Sequence, residues 1–503
     1  MSESPVLGVD FGTQSVRASV YSPSGMLQGQ ASCPYPTDRP GPNRAEQNPD
    51  DWWQGFVRAV PEALERAGIR GNDIAAVACD GTSFTGVFCR ENGTPLRPAI
   101  LWMDLRAADE AQRVEAATDP VLEYCGRRIS PEWLLPKTLW VKNHEPEVYR
   151  DASRIIEGVD WIIHRLCGRW VTSTGNAAGK RHWTPAGAWP TALYEELGLP
   201  ELAGKSPDEV VYVGEPLGAL LPEAAEALGL SVSCAVSHGG MDGWTAPIGK
   251  DCFAPGCASL TLGTSTVVIT ETDAPRAVPG AMGPFPEGIR RGYSVYEAGQ
   301  TSGGSTVGWC LDLLKANEDA AYDALTGEAA ALEAGAEGLV VFDGWRGNRT
   351  PYFDPQARGV ICGLTLDHNP AHVYRAVLEG CAFAVRNVFE TLESGGQLIE
   401  TVRACGTGAG NNLWVEIIAG VTGKSIEVSS EKHATCLGSA VCAAVAAELH
   451  PDIEAAASAM APAFTRVEPG QNKHAYDHLF GLYLETYQQM RHTMAELGSY
   501  GGK

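Results

Sequence analysis

The sequence predicts an α/β protein built from two related domains, and three observations carry that reading. At 503 residues the chain is too long for one core and should hold two large domains or more. Strand-like runs alternate with long amphipathic helices along it. A pattern of strand, Gly-Thr turn and strand near the N-terminus, "LGVDFGTQSVRASVY", is echoed past the middle by "LTLGTSTVVIT".

Val6, Leu7 and Val9, then Val16, Ala18 and Val20, read as two short strands joined by the turn "DFGTQS". Gly12 suits a turn that needs positive φ, but folding alone leaves Asp10 and Thr13 unexplained. The N–H groups of such a turn, with the Thr13 hydroxyl, can hold an anion such as a phosphate, and Asp10 can hold a hydrated Mg²⁺ beside it. On this stretch alone an ordinary polar hairpin accounts for the residues as well. "DDWWQGFVRAVPEALERAG" follows as an amphipathic helix whose Trp52 and Trp53 are expected in the core, and Ile74 to Cys79 as a strand. Trp102, in "AILWMDLRAADEA", precedes Asp104 and Arg106 where a strand ends. A sugar prefers that mixture of an aromatic face and hydrogen-bonding neighbours. "NAAGKRHW" and "VYEAGQTSGG" add Lys180 and Glu297 as polar candidates, although either alone reads equally as a surface charge.

"SHGGMDGWTAPIG" carries Asp242 between glycines. An Asp-Gly turn explains it without function. Phosphoryl transfer to an alcohol needs one carboxylate to take the hydroxyl proton, and an Asp heading a helix beside a cleft can do so, which makes Asp242 the candidate base. His238 is expected to be structural. Glycine and proline cluster here and in "IGKDCFAPGCASL", which places a domain boundary near Ile248 and domains at 1–247 and 248–503. Beyond it, Ser259 to Leu262 and Val402 to Ala404 read as strands, and "AHVYRAVLEGCAFAVRNVFETLES" as a long helix. Two Gly-Thr hairpins, one per half, can clamp the phosphates of one nucleotide from both sides of a cleft.

"ACGTGAGNNLWVEIIAG" follows a strand and opens a helix, as a nucleotide loop does. Its sixth position lacks the Gly of a dinucleotide fingerprint, so the adenosine part of ATP fits better than NAD. "GVTGKS" is not a Walker loop, because the first Gly would have to stand where Ile418 does.

A formal net charge of −23 argues against nucleic acid or an anionic membrane as partner, since phosphate would be repelled over most of the surface. "MSESPVLGVD" has no secretory pattern and no apolar run nears the length of a membrane span, so a cytoplasmic enzyme is expected. The 14 Cys show no CxxC pair and no zinc spacing, which reads them as small buried apolar residues.

Together these residues resemble the FGGY family of carbohydrate kinases. The resemblance runs from "GVDFGTQSVR" through "PKTLWVKNH", "GGMDG", "LGTST" and "CGTGAGNNLW" to "CLGSAVCAA", and is most specific in "GVICGLTLDHNPAHVYRAVLE". It implies a two-domain actin-like ATPase (ribonuclease H-like) fold with the active site in the interdomain cleft. It also implies ATP, Mg²⁺ and a sugar as ligands. By the same resemblance Asp242 is the general base and Asp10 lies near Mg²⁺. Gly12, Thr13 and Gln14, then Gly263, Thr264 and Ser265, then Gly406, Thr407, Gly408, Ala409 and Asn411, contact ATP. His372 marks the family but is expected to pack or cap a helix.

"SPEWLLPKTLW", "GKRHW" and "YEAGQTSGGSTVGW" resemble the ribulokinase-like branch, in which Trp102, Asp104, Lys180 and Glu297 would bind the ketose. The Met-His-Gly of xylulokinases is absent near "CDGTSFTG", where Thr82, Ser83 and Thr85 stand instead. Thr138 departs from the family's N-terminal signature, in which an apolar residue usually follows the lysine that is Lys137 here. The expected reaction is phosphorylation of the terminal primary hydroxyl of a ketopentose, ribulose first, with xylulose, ribitol or erythritol as alternatives. An ATP-switched binding protein on the same fold is the alternative of another class. Dimers are common among such kinases and are the commonest closed assembly in general, so a homodimer is one expected assembly.

Overall fold

The first eleven described residues already show how the sequence builds its sheets. In this computed structural model, which describes residues 4–186 and 189–501 and all side chains there except those at 124, 125, 180, 499 and 501, the run Val6–Phe11 is a strand buried along its whole length. A strand covered on both faces needs a mostly apolar run, here interrupted by Asp10. This β1 turns back into β2 (Ser15–Tyr21), with Val6 opposite Tyr21 and Phe11 opposite Val16. β3 (Leu27–Pro34), β4 (Ala76–Gly81), β5 (Pro216–Ala219) and β6 (Ala235–Met241) complete a six-stranded sheet in the order β5-β6-β4-β1-β2-β3. β1, β4 and β6 are parallel neighbours.

The second half repeats the plan. β7 (Cys257–Leu262) turns back into β8 (Thr266–Thr272), and β9 (Met282–Pro286), β10 (Ser294–Gln300), β11 (Thr401–Cys405), β12 (Ser425–Ser429) and β13 (Phe464–Val467) join them in the order β9-β10-β8-β7-β11-β12-β13. Again the hairpin's first strand has parallel neighbours in sequence order, here β11 and β12. The echoed hairpins thus occupy equivalent places in two related sheets. Neither Gly12 nor Gly263 adopts positive φ, contrary to the expectation for Gly12; the first turn closes through Gly12 N–H to Ser15 O at 3.1 Å, the second through Gly263 N–H to Ser265 O at 3.0 Å.

Among the described residues, the helices that bear on the site are α1 (Pro49–Ala67), α2 (Leu134–His144), α3 (Gly158–Cys167), α4 (Thr174–Arg181), α5 (Asp242–Gly249), α6 (Gly304–Leu313), α7 (Pro370–Ser394), α8 (Asn412–Thr422) and α9 (Ala434–Ala446). α1 starts at Asn48, whose side chain accepts from Asp50 N–H, and ends at a left-handed Gly68. Its interior Pro61 costs about 3 kcal/mol, which the burial of Trp52, Trp53, Phe56, Val60 and Leu64 at about 1.5–3 kcal/mol each outweighs. α7 opens with a capping box in which the Asn369 side chain takes the N–H groups of Ala371 and His372, while His372 takes that of Asn369. His372 caps a helix, as expected. The strand expected from Ile74 starts at Ala76, because Gly71–Asp73 forms a 3₁₀ turn ending at Ile74, and runs on to Gly81 to pair with Phe11 and Met241.

Separate apolar cores lie against the two sheets, one including Leu7, Val9 and Phe56, the other Leu260, Val402 and Trp414. A third core, with Val6, Met241, Ile248, Ile269, Val295 and Leu437, is shared by both halves. Its spine is α9, which comes late in the chain yet packs on β1, β4 and β6 and crosses α5. The crossing is close because it is lined with glycine: a Cβ on Gly249 would lie 2.0 Å from Ala434 O, and one on Gly438 2.2 Å from Thr245 O. Among the described residues no helix is long and apolar enough to cross a membrane.

Candidate active site

Parallel strands put their C-terminal ends on one edge, and ligands of open α/β sheets bind there. β1, β4 and β6 end in register at Phe11, Gly81 and Met241, so the turn at Gly12, the segment after Gly81 and Asp242 at the head of α5 emerge side by side. In the second sheet, Thr261 of β7 stands opposite Cys405 of β11, so Gly263–Ser265 and Gly406–Asn411 emerge together. Between the two edges lies a cleft of about 430 Å³ with residues of both halves on its walls, among them Thr13, Trp102, Asp242, Ser265 and Glu297. A second cavity of about 310 Å³ adjoins it, lined by Gly263, Thr264, Thr407, Gly408, Asn411 and Trp414. The turn Gly263–Ser265 faces both: Gly263 and Thr264 line one, Ser265 the other.

Several predicted residues are drawn together. The indole N–H of Trp102 donates to Thr13 Oγ1 at 3.0 Å. Asp242 is the first residue of α5, where the helix dipole favours a carboxylate, and its Oδ1 accepts from Gly243 N–H at 2.7 Å. Two residues on, Trp244 donates its indole N–H to Glu297 Oε2 at 2.9 Å, which ties the wall made by β10 to the helix that carries Asp242. Gly406 adopts φ 94°, and a Cβ there would meet Leu262 O at 2.6 Å. Only glycine fits where this loop crosses β7. Asn411 lines the second cavity while capping α8 through Trp414 N–H, and its Nδ2 donates to Tyr374 OH at 2.9 Å.

Other predicted residues stand elsewhere. Asp104 is fully buried and away from the cleft lining; its carboxylate accepts from Ala45 N–H at 2.7 Å and from the Arg106 guanidinium at 2.7 and 2.8 Å. Burial pulls its pKa up, but Arg106 and the backbone N–H groups of Ala45 and Arg106 hold it below the usual carboxylate value. Arg106 also pairs with Glu46, so the expected polar neighbours of Trp102 serve the fold beneath it. Gln14 is exposed and lines neither cavity, Ala409 is buried outside their linings, and Gly12 faces a small side pocket with Tyr35 and Gln47. Lys180 belongs to α4, and its side chain lies outside the described residues. His238 is structural: its Nδ1 accepts from Gly240 N–H, so Nε2 donates to Asp160 Oδ1 at 2.9 Å, fully buried.

Sequence reasoning missed Asp80. It is the second-last residue of the buried β4, directly opposite Asp10 of β1. Asp10 Oδ2 accepts from Thr435 at 3.0 Å and Arg17 at 3.2 Å, and Asp80 Oδ2 from Ser439 at 2.6 Å, both hydroxyls being supplied by α9. The remaining oxygens, Asp10 Oδ1 and Asp80 Oδ1, are buried with no other donor within reach, and the two carboxyls meet each other. Burial raises the pKa of both, and for Asp80 the nearby Asp10 charge raises it further. Two buried, adjacent carboxyls would suit a cation such as Mg²⁺, an ion usually held by one or two carboxylates plus phosphate and water. Also unforeseen are Glu132 and Arg349, which meet across the cleft at 3.7 Å, one from each half. The Asp-Gly-Thr of "CDGTSF", repeating the Asp and Gly-Thr of the first turn, was the signal for Asp80.

The model of the FGGY family of carbohydrate kinases, N-terminal domain, matches residues 5–249, and that of its C-terminal domain matches residues 258–447. A ribulokinase of Mycolicibacterium smegmatis is 32% identical over 96% of this chain and 93% of its own. A xylulose kinase of Bacillus subtilis is 28% identical over 98% of this chain and 99% of its own. The crystal structure of a xylulose kinase from Rhodospirillum rubrum superposes with a TM-score of 0.86 at 26% identity, over 97% of this chain and 99% of that one. The resemblance read from the motifs and the actin-like two-domain fold are both borne out. With two matching sheets, a shared cleft and both family domains accounted for, this chain belongs to the FGGY family of carbohydrate kinases and is a sugar phosphotransferase rather than an ATP-switched binding protein.

Proposed function

We propose that the protein transfers the γ-phosphoryl group of ATP to the terminal primary hydroxyl of a ketopentose, most favourably ribulose. One observation carries the reading. The cleft that holds Asp242, Trp102 and Glu297 adjoins the cavity lined by Gly263, Thr264, Thr407 and Gly408, with the second Gly-Thr turn between them. A sugar in the first and ATP in the second would meet at that turn.

Asp242 takes the proton of the attacking hydroxyl as its oxygen reaches the γ-phosphorus in line. Thr13, Thr264 and the N–H groups of their turns stabilise charge on the transferring group. Asp10 and Asp80 would hold Mg²⁺, which supplies charge neutralisation on the phosphates. Trp102 presents an aromatic face to the sugar, and Glu297 accepts from its hydroxyls while Trp244 holds the carboxylate in place. Closure of the domains proposed at 1–247 and 248–503 excludes water, which would otherwise take the phosphoryl group. The names of the relatives support a pentulose, and the Bacillus subtilis protein keeps xylulose as the second reading.

The test is ADP release from Mg·ATP across D- and L-ribulose, D- and L-xylulose, ribitol, erythritol and glycerol. Strong turnover with one ribulose supports the proposal. Turnover with xylulose or a polyol alone contradicts the substrate and leaves the kinase chemistry standing.

A further inference from the structure

Lys137, on α2, is a fully buried lysine whose Nζ donates to the carbonyl oxygens of Phe84 at 2.8 Å and Leu101 at 2.7 Å. Those carbonyls belong to the two segments that wall the cleft on the side of the first half. One carries Thr82, Ser83 and Phe84 from the end of β4; the other leads directly into Trp102. Phe84 stands at φ 65°, a left-handed conformation that costs a bulky residue of order 1 kcal/mol or more. Its ring stacks on Trp133 at 6.2 Å and 7°, one turn before Lys137. The strained turn is therefore held by a ring on one side and a hydrogen bond on the other.

A buried lysine is an expensive way to fill space. Burial pushes its ammonium down to about 7, with Glu132, Glu157 and Asp104 favouring the proton and Arg106 opposing it. A methionine would fill the same volume without that penalty, but it would leave two buried carbonyls without this donor. What the lysine adds is a bond that ties one wall segment to the other. We infer that Lys137 is a positioning residue for the sugar: by joining Phe84 O to Leu101 O it fixes Ser83, Phe84 and Trp102 as one rigid wall. It touches neither substrate. The inference rests on the reading of this cleft as the sugar site.

The experiment compares wild type with Lys137→Met, which removes the donor at similar volume, and Lys137→Gln, whose amide keeps two N–H donors. KM for ribulose or xylulose, KM for ATP and kcat are measured on the full chain, with Trp102→Leu alongside. The expected result is a rise of about 10-fold or more in sugar KM for Lys137→Met with ATP KM within about 2-fold, and partial recovery in Lys137→Gln. A purely structural role would lower the active fraction and hence kcat, with both KM values unchanged; that result overturns the inference. If Lys137→Met does not fold, the same split is read on Lys137→Gln against wild type, and an unchanged sugar KM there overturns the inference. A raised sugar KM in Trp102→Leu but not in Lys137→Met sinks only the role of Lys137. Unchanged sugar KM in both sinks the reading of the cleft as well.

Discussion

Trp102 and Thr13 meet through a 3.0 Å hydrogen bond from indole Nε1 to hydroxyl Oγ1, so a wall residue of the proposed sugar pocket touches the first Gly-Thr turn. The chain brings them together from 89 positions apart because the short strand Ala99–Ile100, in a separate four-stranded sheet, ends just before Trp102 beside the turn after β1. Removing the indole should therefore disturb both substrates. Trp102→Leu is expected to raise sugar KM by about 10-fold and to lower kcat through the loosened Thr13, a loss of roughly 1–3 kcal/mol in all. Steady-state kinetics with each substrate varied in turn check it.

The pair Asp10 and Asp80 carries a prediction about the cation. Each has one buried carboxyl oxygen with no other donor within reach, and the two strands hold them opposite each other. Asp80→Asn removes one charge and one acceptor while keeping the Ser439 contact possible through its amide oxygen. Calorimetric titration is expected to show Mg·ATP bound about 10-fold more weakly, with ATP alone little changed. Equal weakening of both would place Asp80 in the fold rather than beside the metal.

The crossing of α5 and α9 predicts a stability effect. A Cβ on Gly438 would stand 2.2 Å from the backbone oxygen of Thr245, and backbone cannot rotate away as a side chain can. Gly438→Ala should cost about 1–3 kcal/mol or more, seen as a lower denaturant midpoint. The same substitution at Gly410, where a Cβ meets nothing within 4 Å, serves as the control.

His182 sets a pH window. It is buried at the end of α4, and burial pushes its pKa down to about 4. The unfolded chain, with an ordinary histidine near 6.5, binds the proton first as pH falls, so stability rises with pH across this range. The contribution is full above about 6.5 and is lost towards 4, a change of about 3 kcal/mol. His182→Asn, a residue that tolerates the left-handed φ of 58° found there, should flatten stability against pH between these values. An unchanged slope would contradict the assignment.

Much of this was legible in the sequence, and the failures have physical reasons. The two hairpins could be read because buried strands demand apolar runs and because a Gly-Thr turn is conspicuous between them. The long helix α7 announced itself through Asn369-Pro370 and its apolar period. Asp104 misled because sequence spacing shows a carboxylate beside Trp102 but not the Arg106 fork that closes on it from two residues away. Asp80 was passed over because an Asp before Gly reads as a turn, whereas the pairing of β1 with β4 sets it against Asp10. Lys137 looked like one letter of a motif; its burial between two carbonyls depends on three segments meeting.

The central claim is that Asp242, at the head of α5 and facing the cleft, takes the proton of the attacking hydroxyl. Asp242→Asn keeps the shape and the Gly243 contact but removes the base. Rapid-quench measurement of sugar phosphate formation, with Mg·ATP affinity followed in parallel, tests it most directly. Unchanged ATP binding and phosphoryl transfer slowed by roughly 10²–10⁴-fold are expected. Transfer within a few-fold of wild type would contradict it.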